Sequence, residues 1–210
     1  MSKRNIILLG AGGHARSCID VIEQEGSYII RGLIGLPREV GTEVSGYPVL
    51  GTDEELTALL QVDDAVLITI GHIKSPEARV HLFETLTDKG CTFPIIISPH
   101  AYVSSRTTFG AGTIVMHGAV INAGADIGNN CIINSHSLVE HDVIIKDHCH
   151  ISTSAVLNGG VEVGERTFIG SCSCIRESIN IGKGCLIGMG QTVFSDCADN
   201  TKIPQLMAMT

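Results

Sequence analysis

The sequence predicts two architectures joined end to end. A small Rossmann-like parallel α/β unit spans residues 1–97, and a parallel β-helix of hexapeptide repeats spans residues 98–210. Three observations carry this. The first hundred residues alternate apolar runs with helix-like segments. The glycine-rich stretch "GAGGHARS", Gly10 to Ser17, follows directly on the apolar run "NIILL". From Val103 onward, every sixth residue is large and apolar without a slip in register.

In the first unit, "NIILLGAGGHARSCIDVIEQEG" reads as strand, glycine turn, helix and glycine stop, with Ile19, Val21 and Ile22 on the apolar helix face. "YIIRGLIG" predicts a second strand, "YPVLGTDEELTALL" a turn followed by a helix, and "DAVLITIG" a third strand. "SPEARVHLFETLTDKG" predicts a helix with Ser75 as N-cap, Pro76 at its first position and Gly90 at its end. "TFPIIIS" predicts a fourth strand, and the boundary between units falls near Ile97 to His100.

In the second unit, the sixfold series runs from Val103 through Val115, Ile133, Ile151 and Ile169 to Val193, sixteen positions in all. Short strands separated by tight corners repeat in this way; helices do not. Nine of the sixteen following positions are Gly or Asn, which suggests a backbone corner of positive φ there. Four residues past each aliphatic, the side chain tends to be small, as at Ala119, Cys131, Cys149 and Cys185. Cysteine thus serves as a small core residue, and no CxxC pair suggests a metal.

Net charge is -8 and no basic cluster is visible, which argues against nucleic acid as a partner. No apolar run is long enough for a membrane span or a signal peptide, so a cytoplasmic protein is expected. Gly10-x-Gly12-x-x-Ala15 brings backbone N–H groups and a helix N-terminus towards an anionic ligand. The second strand ends Gly35-Leu36-Pro37, without the ribose-binding acid of a redox dinucleotide site. The turn therefore reads as a sugar or nucleotide-sugar site, built on Gly10, Gly12, Gly13 and His14, or as a tight turn that lets the helix pack.

Glu140-His141-Asp142 places an imidazole between two carboxylates. Histidine suits proton acceptance near neutrality, and a carboxylate on its far nitrogen fixes the tautomer. Residue spacing leaves open whether Glu140, Asp142 or a neighbouring chain plays that part. Eighteen residues make one coil, so Gly159 stands above His141 and Gly160 above Asp142. This leaves room for a substrate and exposes backbone N–H for an oxyanion. A solvated surface histidine between corner glycines is the plainer alternative.

"GAGGHA", "INSHSLVEHD", "HISTSAVLNGGVEVGERTFIGSCS" and "IGMGQTV" resemble the sialic acid O-acetyltransferase family. That family includes the N-acetyltransferases of UDP-4-amino-sugars. The stretch from Ile132 to Ser173 is most similar to the sialic acid branch. The resemblance implies a left-handed β-helix and an acetyl-CoA-dependent acetyltransferase acting on a sugar or nucleotide sugar without a metal. His141 would be the general base, oriented by Asp142 or Glu140. His150 would approach the acetyl group, backbone at Gly159 and Met189 would hold acetyl-CoA, and the glycine turn would hold the sugar. A sialic acid hydroxyl is the first expectation, the amine of a UDP-4-amino-sugar the second. Two features depart from the family: Gly35-Leu36 stands where an Asp is common, and "KIPQLMAMT" replaces the usual "GxPAK" ending that helps bind the outer part of CoA.

A homotrimer is expected, because three flat prism faces cannot turn all their aliphatic side chains inward. Two rivals belong to other classes. One is a β-helix zinc enzyme of carbonic anhydrase type with ligands His100, His136 and His141, and the other is a non-catalytic binding protein.

Overall fold

The computed structural model describes residues 3–61, 63–73 and 75–204 of the 210-residue chain. The first unit is a five-stranded sheet of order β3-β4-β2-β1-β5, from β1 (Arg4–Leu9), β2 (Tyr28–Ile34), β3 (Glu43–Val44), β4 (Tyr47–Gly51) and β5 (Ala65–Ile68). All pairs are parallel except the β3–β4 hairpin. Its helices are α1 (Gly13–Glu25), α2 (Leu56–Leu59) and α3 (Glu77–Asp88). Helix α1 ends as the sequence suggests: Gly26 takes φ 78° and its N–H reaches Ile22 O at 3.0 Å. Helix α3 starts one residue later than expected, at Glu77, whose N–H bonds Ser75 Oγ at 3.3 Å.

Two expectations for this unit change. "YPVLG" is strand β4 rather than a turn: Val49 pairs with Leu33, and Val49 is buried on the core side. Only the first residue of "TFPIIIS" joins this sheet: Thr92 bridges Ala65 of β5, and Val66 N–H donates to Thr92 O at 2.9 Å. Its strand, Ile96–Ile97, pairs with Ile114–Val115 and opens the β-helix. Strand propensity was legible there, but the pairing partner is a tertiary choice.

The second unit is a prism with three parallel sheets of seven, five and six two-residue strands. Partners lie eighteen residues apart, as in Ile132↔His150 and Leu138↔Val156. The sixfold aliphatics point inward: Val115, Ile133, Ile151, Ile169 and Ile187 are fully buried, with Cys131, Cys149 and Cys185 between the layers. The expected backbone corner falls elsewhere. Positive φ occurs three residues past the aliphatic, at Gly124, Asp142, Ser178 and their equivalents. The Gly directly after the aliphatic has another cause: a Cβ at Gly164 or Gly170 would sit 2.5 Å from the backbone N of the next coil. After Val193 the repeat shortens, and Leu186↔Lys202 pairs across sixteen residues. Residues 205–210 of the altered ending lie outside the described residues.

The outward columns give each face its character. The covered face carries Ile96, Ile114, Ile132, His150 and Phe168, and α1 with its sheet packs on it to form one continuous core. The polar face carries Thr108, Asp126, Ile144, Glu162 and Asn180, polar but for Ile144. The open face carries Tyr102, Val120, Leu138 and Val156, uncovered in the single chain; Tyr102 is 61% exposed.

Candidate active site

His141 lies on the corner between the open and polar faces, two residues past the core residue Val139. Its Nδ1 is 2.9 Å from Asp142 Oδ2. Asp142 takes φ 59°, a strained left-handed conformation that turns its carboxylate back over Gly124 towards the ring. Glu140 is engaged elsewhere, accepting from Asn122 Nδ2 at 2.9 Å. Asp142 is thus the carboxylate that meets the imidazole. One coil above, Gly159 lies against the ring: an added Cβ would sit 2.6 Å from Nε2. The Gly160 N–H bonds His141 O at 3.0 Å, whereas Gly159 N–H has no partner among the described residues. A free backbone donor beside an oriented imidazole is what acyl transfer requires.

Met189 does not share this corner. It lies between the covered and open faces, with its side chain half exposed. His100 and His136 share its corner, two coils apart. His100 stacks near His117 at 5.5 Å, and the His136 ring covers Gly118. His100 and His136 are therefore on a different corner from His141. Among the described residues no cluster of three His, Cys, Asp or Glu is placed to hold a metal.

The glycine turn sits at the junction of the two units. Gly10 takes φ 120°, and a Cβ there would strike Ile70. Gly12 and Gly13 face open space, and the N-terminus of α1 has no side-chain cap. His14 is the second residue of that helix, with its ring 6.4 Å from His150. His150 is buried on the covered face. Its Nδ1–H donates to His72 O at 2.6 Å, and its Nε2 is 3.2 Å from Asn134 Nδ2. Burial, with the neighbouring His150 and Arg79, pushes the imidazoles of His14 and His72 down to about 3. Burial takes His150 to about 4, against the opposing pull of its bond to His72 O.

Four residues here escaped the sequence reading. Arg79 is fully buried and bonds only neutral acceptors, Ile68 O, Ile70 O, Asn130 O and Asn130 Oδ1. Asp20 on α1 reaches His117 Nε2 at 2.8 Å, and His117 Nδ1 meets Ser98 Oγ at 2.6 Å. These contacts fasten the first unit to the prism. Glu39 lies over Gly35, its Oε2 accepting from Leu36 N–H at 2.8 Å, so a carboxylate does stand at the end of β2 beside Ala11 of the turn. His72 sits in the loop after β5. No motif marks any of the four; only the isolated charge of Arg79 in an apolar helix face was a readable signal.

A hexapeptide prism bearing an oriented histidine and a free corner amide, with a small α/β unit on one face, defines an acyltransferase of the hexapeptide-repeat class. The comparisons agree. Residues 5–86 match the PglD N-terminal domain family. The structure of PerB, a perosamine N-acetyltransferase from Caulobacter crescentus, solved with CoA and GDP-perosamine, is 30% identical. The match covers 95% of this chain and 93% of that one at a TM-score of 0.88. The acetyltransferase domain of PglB from Neisseria gonorrhoeae, solved with acetyl coenzyme A, is 28% identical. That match covers 97% of each chain at a TM-score of 0.88. WeeI from Acinetobacter baumannii, at 22% identity, 94% and 95% coverage and a TM-score of 0.83, shares the fold. The chain belongs to the hexapeptide-repeat sugar acetyltransferases, and it is an enzyme of that class.

Proposed function

We propose that this enzyme transfers the acetyl group of acetyl-CoA to the amine of a nucleotide-linked amino sugar, with His141 as general base. The single observation that carries the chemistry is the Asp142–His141–Gly159 stack. Asp142 holds Nδ1–H, leaving the Nε2 lone pair to take a proton from the acceptor nitrogen as it attacks the thioester carbonyl. The free Gly159 N–H receives the oxyanion. The C–S bond then breaks, the amide forms, and the thiolate leaves with a proton as CoA thiol. The step needs no metal.

The acceptor reading rests on the complexes described for PerB and on Glu39, which supplies a carboxylate that Gly35-Leu36 lacks. A sialic acid hydroxyl is the second reading, favoured by the Ile132 to Ser173 motif stretch.

The site is shared between copies. His141 stands on the open/polar corner, whereas the glycine turn, His14 and His150 lie on the covered face of the same prism. Three copies joined through the apolar open faces bring the His141 corner of one prism beside the covered/open corner of the next. That corner carries Met189. One acetyl-CoA would then lie between Gly159 of one chain and Met189 of its neighbour. All eight cysteines are free thiols, which suits a reducing cytoplasm. No described helix is long and apolar enough to cross a membrane.

The test is thiol release from acetyl-CoA with GDP-perosamine, a UDP-4-amino-sugar, free sialic acid and CMP-sialic acid, with mass spectrometry of the product. Amide formation on an amino sugar supports the reading. An ester on sialic acid replaces it with the second.

A further inference from the structure

His72 is 3% exposed, yet its Nδ1 has no hydrogen-bond partner among the described residues. A buried ring nitrogen is rarely left so, because losing water without gaining a partner is costly. The ring is also well placed. It lies 6.1 Å from the His150 ring and 5.8 Å from the Phe168 ring, at the seam between the two units. The preceding residue, Gly71, abuts His14, the second residue of α1. Beside it, Gly12 and Gly13 open onto space a ligand can enter.

The hydrogen bonding of His150 narrows the chemistry. Its Nδ1–H is committed to the His72 carbonyl, and the ring is neutral near pH 7. A neutral imidazole has one N–H, so Nε2 carries a lone pair and accepts, with Asn134 as its present donor. His150 thus has no N–H left to donate to an acetyl oxygen. Arg79, buried without a carboxylate partner among the described residues, makes the seam unfavourable for an ammonium group. The lone pair of His150 gives a carboxylate no donor.

We propose that His72 is a specificity-determining residue of the acceptor site, its Nδ1 holding an uncharged hydroxyl, amide or amine of the sugar beside the Phe168 ring. This rests on the acceptor reading above. It adds a residue that no motif marks.

Two variants test it: His72→Leu, which keeps bulk and removes the ring nitrogens, and His72→Asn, which keeps a polar side chain. Both leave the main-chain carbonyl that bonds His150. Steady-state kinetics would use acetyl-CoA and whichever of GDP-perosamine, the UDP-4-amino-sugar or CMP-sialic acid the unmodified enzyme acetylates. Expected is a rise of about tenfold or more in acceptor KM for His72→Leu, with acetyl-CoA KM within about twofold and partial rescue by His72→Asn. An unchanged acceptor KM overturns the proposal, and an equal rise in acetyl-CoA KM assigns the pocket to the donor instead. Should His72→Leu not fold, nitrogen-15 spectra of the unmodified protein decide. The His72 Nδ1 resonance must move on adding the nucleotide sugar and stay put on adding CoA. If the unmodified enzyme acetylates none of the three sugars, the acceptor reading fails and this proposal with it. An active parent with an unaffected variant removes only the role of His72.

Discussion

Gly159→Ala should cripple catalysis while sparing the fold. The new Cβ would stand 2.6 Å from His141 Nε2 and 2.7 Å from Cε1, about 1 Å inside ordinary van der Waals contact. Gly159 is not among the positive-φ residues, so alanine meets no backbone strain there. The exposed imidazole is the part that can yield. It must swing away by about 1 Å, breaking the 2.9 Å bond to Asp142 and crowding the space where the acetyl group would lie. Misplacing a reacting group by that distance costs about 10²-fold, and losing a general base entirely about 10²–10⁴-fold. The expected loss is therefore about 10²-fold in kcat for thiol release, with a melting temperature within a few degrees of the parent. Retention of more than about a tenth of the rate would show that the ring position is not what the reaction depends on. Loss of the folded protein would show that Gly159 serves packing.

Asp142→Asn should lower kcat by about 10²-fold while Glu140→Gln stays within about threefold, since only Asp142 touches the imidazole; the reverse order would place the orienting carboxylate elsewhere. If the proposed trimer shares its sites between copies, mixing His141→Asn and Gly12→Val chains, each inactive alone, should restore activity at about a quarter of the sites. No recovery would mean that each chain holds a complete site. Acid should destabilise the junction between the units. His14, His72 and His150 have folded-state values of about 3, 3 and 4, below the unfolded 6.5, so the unfolded chain binds protons first. Their contribution is fully present above about pH 6.5 and is lost progressively as pH falls towards 3 to 4. Denaturant midpoints that hold steady from pH 7 to 5 would contradict this burial.

The prism was legible because its repeat writes one inward residue per hexad, from Val103 to Val193, and nothing else repeats in that way. Its limits were not. Ile96–Ile97 reads as a strand, but local sequence does not name its partner, and the shortened coil before Lys202 breaks the register that guided the eye. Strand β4 was hidden by Pro48 and Gly51, residues that also make turns. At the site, the eighteen-residue stacking placed Gly159 over His141 from spacing alone, and the structure has that contact. The choice of Asp142 over Glu140 depended on a left-handed backbone and on Asn122 from the coil before, neither visible locally. His150 was placed near the acetyl group by the family resemblance alone; local spacing says only where it sits on its own prism. Nine residues are one and a half hexads, so it falls on another face. His72, Glu39 and Asp20 matter only through partners distant along the chain.

The central claim, acetyl transfer with His141 as base, is tested most directly by one assay of the unmodified enzyme beside His141→Asn. The readout is CoA thiol released from acetyl-CoA in the presence of a nucleotide-linked amino sugar. The account predicts stoichiometric thiol release and amide formation for the parent, and a rate lower by about 10²–10⁴-fold for His141→Asn, which still folds. Equal rates from the two proteins would contradict it.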